Sequence, residues 1–147
     1  MTKEKMLTLI DWENVMKAPR YSGGHSEIMN SIFGKNAEVI AYHQDDDYQG
    51  ELIYAYYFPD GTIAFISDYF GSCSGCDSWD DASNEDAMNM ITSLVSSSRL
   101  CKTFTDAISF CETGCKEAEQ FSHGRAEYLK DKLIECKQNK LNLIKEL

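Results

Sequence analysis

Two cysteines three positions apart are the residues of this chain whose spacing comes nearest to a known chemical motif. Cys73 and Cys76 lie in the stretch GSCSGCDSWDD. Such a pair can supply half of a tetrahedral zinc site, which then needs two further ligands. The candidates for those ligands are Cys111 together with Cys115, His43, or Asp77. Because no second pair of cysteines lies in a predicted loop, zinc binding is an alternative here rather than the leading interpretation.

A redox role for Cys73 and Cys76 agrees less well with the sequence. A reactive thiol of the thioredoxin type lies at a helix N-terminus directly after a strand, where its pKa is lowered. Here the next helix is predicted to begin only near Asn84, and the neighbouring carboxylates raise a thiol pKa. We therefore interpret the stretch first as a tight turn whose side chains bond to its own amides. Those side chains are Ser72, Ser74 and Asp77, and Gly71 and Gly75 permit the turn.

Other signals for catalysis are scattered along the chain. His25, His43 and His123 have no serine or cysteine partner at a recognisable spacing, so we predict no catalytic residue and no required cofactor. No segment approaches the roughly 20 apolar residues of a membrane span. Without a signal peptide, the six cysteines are expected to be reduced thiols. These observations predict a non-enzymatic cytoplasmic protein.

The charge is concentrated in one part of the chain. Between Lys35 and Arg99 there is no lysine or arginine, while twelve carboxylates give this acidic block a charge of −12 within a total of −10. Direct nucleic-acid binding is disfavoured, because attraction to phosphate needs clustered lysine and arginine. A basic protein partner is favoured instead.

Candidate partner-binding residues lie in two parts of the acidic block, and they include the aromatic side chains that would suit a binding surface if exposed. They are Asp45, Asp46, Asp47, Tyr48 and Gln49, and then Ser72, Ser74, Asp77, Trp79, Asp80 and Asp81.

The element that must position these residues is a β-hairpin. The runs ELIYAYYF and TIAFISDYF are rich in β-branched and aromatic residues, and a Pro-Asp-Gly turn joins them. Alternation places Leu52, Tyr54, Tyr56 and Phe58 on one face of the first strand, and Ile63, Phe65 and Tyr69 on one face of the second.

Helical signals flank this hairpin on both sides. The sequence predicts a helix over residues 2–17 capped by Thr2, a short helix in HSEIMNSIF ended by Gly34, and a strand in AEVIAYH. After the cysteine stretch it predicts one helix behind Ser83, a second behind Thr103 or Thr105, and a long helix over residues 122–147. Cys111, Cys115 and Cys136 lie on apolar stripes and are expected to be core thiols. We predict one α+β domain over residues 1–147, with a small antiparallel sheet packed against several helices.

The long C-terminal helix leaves two interpretations open. Its apolar seam consists of Leu129, Leu133, Cys136, Leu143 and Leu147, widened by Ile134, Leu141 and Ile144. This width favours docking on the domain's own core. Homodimerisation through the same helix is the alternative, although Lys140 interrupts the seam.

Residues 47–81, DYQGELIYAYYFPDGTIAFISDYFGSCSGCDSWDD, resemble a segment of small, mostly uncharacterised proteins of bacteriophages and their hosts. In those proteins a YQG strand leads through a hairpin into a GSCSGCD loop. The resemblance carries no established activity. It implies a phage-associated setting, in which small acidic proteins bind host proteins, including by imitating DNA. Taken together, these features predict an acidic inhibitor of a basic host protein in antiviral defence. The alternative is a small-ligand or zinc-binding protein that uses the GSCSGCD loop.

Overall fold

The structure is a computed structural model that describes residues 1–20, 25–45, 50–70, 79, 81–114 and 123–146. It confirms an α+β fold built on a four-stranded antiparallel sheet. The elements before residue 71 are α1 (Lys3–Thr8), α2 (Trp12–Lys17), α3 (His25–Ser31), a 3-10 turn (Gly34–Asn36), β1 (Glu38–Gln44), β2 (Gly50–Tyr57) and β3 (Ile63–Phe70). Those after it are α4 (Asn84–Ser96), β4 (Arg99–Cys101), α5 (Phe104–Ser109), a π-helical turn (Phe110–Gly114) and α6 (His123–Glu146).

The strands follow one another across the sheet in chain order, and the predicted hairpin joins β2 to β3. Its turn is closed by Asp60, whose carboxylate accepts the Thr62 N–H at 2.9 Å, and Gly61 has the positive φ of +91° that the sequence predicted. The bond from the Thr62 amide is the main reason that the pKa of Asp60 is lowered. The turn chemistry therefore fixes the register in which Tyr57 faces Ile63.

The sheet is covered on both faces, which explains why β2 is almost continuously apolar. Leu52, Tyr54 and Tyr56 point into a first core cluster with α1–α4, as the alternation predicted. Ile53 and Ala55 point into a second cluster with α5 and α6. The second cluster also contains the buried residues Ile63, Phe65, Cys101, Ala107, Phe110, Cys111, Ala126, Leu129 and Leu133.

The N-terminal region differs from the single helix predicted over residues 2–17. Thr2 does cap α1 by accepting the Lys5 N–H, but α1 ends at Thr8 and a second helix begins at Trp12. The break arises because the Asp11 side chain caps α2, while the Asp11 N–H donates to the Ile32 carbonyl at 2.8 Å. Gly34 lies close beside Asp11 at φ +51°, where a Cβ would clash with the Asp11 carboxylate.

Two helix caps and one short strand lie in the part of the chain after residue 81. Ser83 and Thr103 cap α4 and α5 as predicted, by accepting amide protons of Asp86 and Asp106. The short strand β4 was not predicted. It pairs with β3 only at Ile63, Ala64 and Phe65.

The long helix α6 is docked along its first part. Ala126, Leu129 and Leu133 are fully buried against the sheet and α5. Lys140, which interrupts the apolar seam, pairs with Glu38 at 3.1 Å and lies 4.3 Å from the centre of the Tyr57 ring. Beyond it Leu143 and Ile144 are 62% and 66% exposed, so dimerisation stays a prediction for this end of the helix.

Within the described ranges, no helix is both long enough and apolar enough to cross a lipid bilayer.

Candidate functional site

The structure describes three of the predicted partner-binding residues, namely Asp45, Trp79 and Asp81. The others lie outside the described residues: Asp46, Asp47, Tyr48, Gln49, Ser72, Ser74, Asp77 and Asp80. Cys73 and Cys76 also lie outside them, so zinc binding at this pair stays a prediction.

Trp79 is a core residue, whereas the sequence placed it among surface candidates. Only 1% of it is exposed, and it belongs to the first core cluster. Its indole N–H donates to the carboxylate of Asp68 at 3.0 Å, which satisfies the polar atom of an otherwise apolar ring. A partner therefore cannot reach this ring on the folded surface, and the prediction that Trp79 binds a partner is wrong.

Asp45 is held in an ion-pair cluster with Arg125 of α6 and Glu51 of β2. Arg125 donates from Nε and Nη2 to Asp45 at 3.0 and 2.6 Å, and from Nη1 to Glu51 at 2.6 Å. The Glu51 amide also donates to Asp45 at 2.9 Å. This amide bond, together with Arg125, lowers the pKa of Asp45 despite some desolvation. Asp45 therefore joins α6 to the end of the β1–β2 pair, and its charge is compensated inside the molecule.

Two further carboxylates of the acidic block are compensated by cations from outside the block. Glu38 pairs with Lys140 at 3.1 Å, and Asp60 pairs with the amino group of Met1 at 3.3 Å. Together with Asp45 and Glu51, these are four described carboxylates of the block with a positively charged neighbour.

The start of α4 differs from these four sites. Asp81, Glu85 and Asp86 are exposed, and no cation of the described part of the chain forms an ion pair with them. Asp81 is held by its backbone, at φ 55°, through an N–H bond to the Arg20 carbonyl at 3.0 Å. We call Asp81, Glu85 and Asp86 the acidic rim, because they are the exposed carboxylates of the acidic block for which the described part of the chain provides no ion pair.

A groove runs beside the acidic rim, between α4 and the outer end of β3. Its volume is about 420 Å³, and its lining consists of Ser67, Asp68 and Tyr69 on the strand and Asn89, Met90, Ser93, Leu94 and Ser97 towards the helix. Glu85 and Asp86 precede Asn89 and Met90 by one helical turn, which places them at one end of the helical wall. The groove is therefore acidic at one end.

Tyr69 lines the groove at the strand and is 70% exposed, and strand alternation places its side chain on the same face of the sheet as its cross-strand partner Glu51. Its hydroxyl donates to the Glu51 carboxylate, and this bond to a negative group raises the pKa of Tyr69. An exposed tyrosine beside carboxylates is the type of residue that the sequence suggested for Tyr48 and Trp79. In the described structure, Tyr69 is an exposed aromatic residue of this type.

The described cysteines and histidines do not form a metal site. In the ranges given above, no group of three or more histidine, cysteine, aspartate or glutamate residues could hold a metal ion. Cys111 is a buried core thiol as predicted, and burial raises the pKa of neighbouring Cys101 to about 11. His43 packs edge-on against Tyr128 with ring centres 5.4 Å apart. Cys115 lies outside the described residues.

Comparisons of the chain with protein-family models, with curated proteins and with solved structures gave no match. The resemblance of residues 47–81 to phage-associated proteins therefore stays a prediction.

Sequence reasoning did not find the groove or the Arg125 cluster. The groove depends on where β4 ends, and the three residues of β4 are too few to show a period. The Arg125 cluster had a signal in the composition. A block without lysine or arginine can compensate its partly buried carboxylates only with cations from other parts of the chain.

Proposed function

We propose that this protein is a non-enzymatic binding protein that recognises a basic host protein through the acidic rim and the groove beside it. The observation that carries the proposal is the uneven compensation of charge. Asp45, Glu51 and other carboxylates are used in holding the fold together, whereas the acidic rim is exposed and has no described counter-ion. No ion pair within the described part of the chain uses these three carboxylates, so their charge is available for a partner.

The physical role of the rim is attraction and orientation. Exposed charges of one sign raise the association rate of an oppositely charged partner, and they discourage binding to nucleic acid. The acidic block contains no lysine or arginine of its own. The guanidinium of Arg20 lies near the rim, where it donates to the Ala82 carbonyl at 2.9 Å, but it forms no ion pair with Asp81, Glu85 or Asp86. The setting that we propose is a host cytoplasm, with a defence protein that normally binds nucleic acid as the partner. In that setting the acidic rim imitates part of a phosphate backbone.

The test compares two variants that remove the same charge from different places. In the first, Asp81, Glu85 and Asp86 become Asn, Gln and Asn. In the control, three carboxylates of α6 are neutralised in the same way: Glu127, Asp131 and Glu135. Host proteins bound by the wild type are identified by affinity capture, and the purified partner is then used to measure association and dissociation rates over a range of salt concentrations.

We expect the rim variant to associate about tenfold more slowly than the wild type near physiological salt, with a smaller change in dissociation. The control should keep at least half of the wild-type rate. An equal loss in both variants would mean that only net charge matters. Unchanged kinetics in the rim variant would exclude this surface as the binding site.

A further inference from the structure

The outer edge of β3 is covered for only part of its length. β4 pairs with Ile63, Ala64 and Phe65, whereas β3 continues to Phe70. In the described part of the chain, no strand lies on this side of residues 66–70. The burial changes at the same point, since Phe65 is 3% exposed whereas Ser67 and Tyr69, which lie on the same face of the strand, are exposed.

The backbone groups of Ser67 and Tyr69 point towards this open side. The Phe58 N–H donates to the Thr62 carbonyl at 2.9 Å, which makes these two residues a hydrogen-bonded pair of the β2–β3 ladder. Because hydrogen-bonded pairs alternate along antiparallel strands, Ile66 and Asp68 also bond to β2. Ser67 and Tyr69 must then direct their N–H and C=O groups away from β2, into the groove beside α4.

We propose that a lysine- or arginine-bearing segment of the partner binds here in an extended conformation and adds a strand to the sheet, in line with β4. This inference rests on the proposed function and specifies how the partner is held. Main-chain bonds to Ser67 and Tyr69 supply a large part of the affinity, as in other cases of β-strand addition. Exposed edges are commonly protected by proline or lysine, and the stretch from Ser67 to Phe70 contains neither.

Charge decides which occupant the groove favours. Glu85 and Asp86 lie at one end of its helical wall, so basic side chains on an added strand would find carboxylates there. A second copy of this chain has the same net charge of −10, so edge-to-edge pairing would bring two strongly acidic molecules together. Complementary charge therefore favours a basic segment over self-association.

The test uses a blocked eight-residue peptide in which valine alternates with lysine, titrated into the full chain. Amide hydrogen exchange is followed by NMR at residues 66–69. In the free protein, the amides of Ser67 and Tyr69 should exchange fast, while those of Ile66 and Asp68 are protected by β2. Addition of the peptide should slow exchange at Ser67 and Tyr69 at least about tenfold. The same peptide with N-methylated valines, which lacks half of its donors, should bind more weakly.

Ser67→Pro tests the main-chain bond to the added strand from the protein side, because it removes an outward N–H that makes no bond to β2. Ser67→Ala, which keeps this N–H, is its control. Loss of one main-chain bond and the added steric conflict should weaken peptide binding at least about tenfold in Ser67→Pro, with little change in Ser67→Ala. Peptide binding without protection at Ser67 and Tyr69, lost only in the rim variant, would overturn strand addition while leaving the proposed function intact. Protection of both amides already in the free protein would also overturn it, since the edge would then be occupied by the chain itself. Absence of any peptide binding would overturn it as well.

Discussion

Replacing Arg125 with methionine should destabilise the fold measurably, because this side chain joins α6 to the sheet. The guanidinium is 18% exposed and makes three short bonds to two carboxylates, which are 22% and 30% exposed. A hydrogen bond to a charged group typically contributes about 1.5–3 kcal/mol to stability. Because both carboxylates remain partly solvated, the three bonds together contribute less than the sum of three such values. We expect Arg125→Met to lower the free energy of unfolding by about 2–3 kcal/mol. For a chain of this size the midpoint of thermal unfolding should fall by about 4–10 °C.

The effect of pH provides an internal check on the cause. The pKa of Asp45 is lower in the folded state than the value of about 3.9 for an unperturbed aspartate. Its contribution is therefore fully present above that unperturbed value and is lost as the pH falls through the lower, folded value. The difference between wild type and Arg125→Met should be largest near neutral pH and should shrink at acid pH.

The measurement is urea denaturation followed by circular dichroism, at neutral pH and at a pH below 4. Arg125→Lys keeps the charge but loses the forked geometry, so it should show roughly half the loss. Lys132→Met is the matched control, since Lys132 pairs with Glu135 at 3.7 Å on the exposed side of α6, where a pair contributes less than about 1 kcal/mol. The reasoning fails if Arg125→Met costs no more than Lys132→Met, or if its cost is the same at both pH values.

Three further outcomes follow from the fold. Truncation after Lys140 removes the exposed end of α6 and should leave a folded protein. Truncation after Asp131 also removes buried Leu133 and should give a destabilised or insoluble protein. Sedimentation and circular dichroism measure both products, and a folded protein that ends at Asp131 would contradict the docking of α6 on the core. Cys101 should resist alkylation at pH 8 until the protein unfolds, since burial raises its pKa to about 11, and site-resolved mass spectrometry would detect early modification if this is wrong. Ser83→Ala should cost about 1 kcal/mol by removing the cap of α4, and an unchanged urea midpoint would contradict that role.

Local chemistry explains which parts of the fold could be predicted. The hairpin was predictable because the Pro59–Gly61 turn and the flanking β-rich runs act over a few residues. The break between α1 and α2 was not, because it depends on the bond between Asp11 and distant Ile32. β4 was missed for the same reason, since only its pairing with β3 makes Arg99–Cys101 a strand.

The site was predictable in composition but not in arrangement. The acidic block is visible in the sequence, yet the assignment of Asp45 to an internal ion pair depends on Arg125, which lies 80 residues away. Trp79 has acidic neighbours in sequence, which suggested a surface position. In the fold the same ring is buried, because Asp68 accepts its N–H while the apolar atoms join the core. The positions of Asp45 and Trp79 both depend on hydrogen bonds to residues that are not their neighbours in the sequence.

During synthesis on the ribosome, the residues of the first core cluster are complete before those of the second. Every described buried member of the first cluster lies between Met6 and Val95, whereas the second cluster includes residues up to Leu133. At about 5–20 residues per second, the 38 residues that separate these points take about 2–8 s to emerge. During that interval Ile53 and Phe65 belong to a layer that is packed on one side and bare on the other. The nascent chain therefore passes through a stage that attracts chaperones or other nascent chains, and the arrival of α6 ends it.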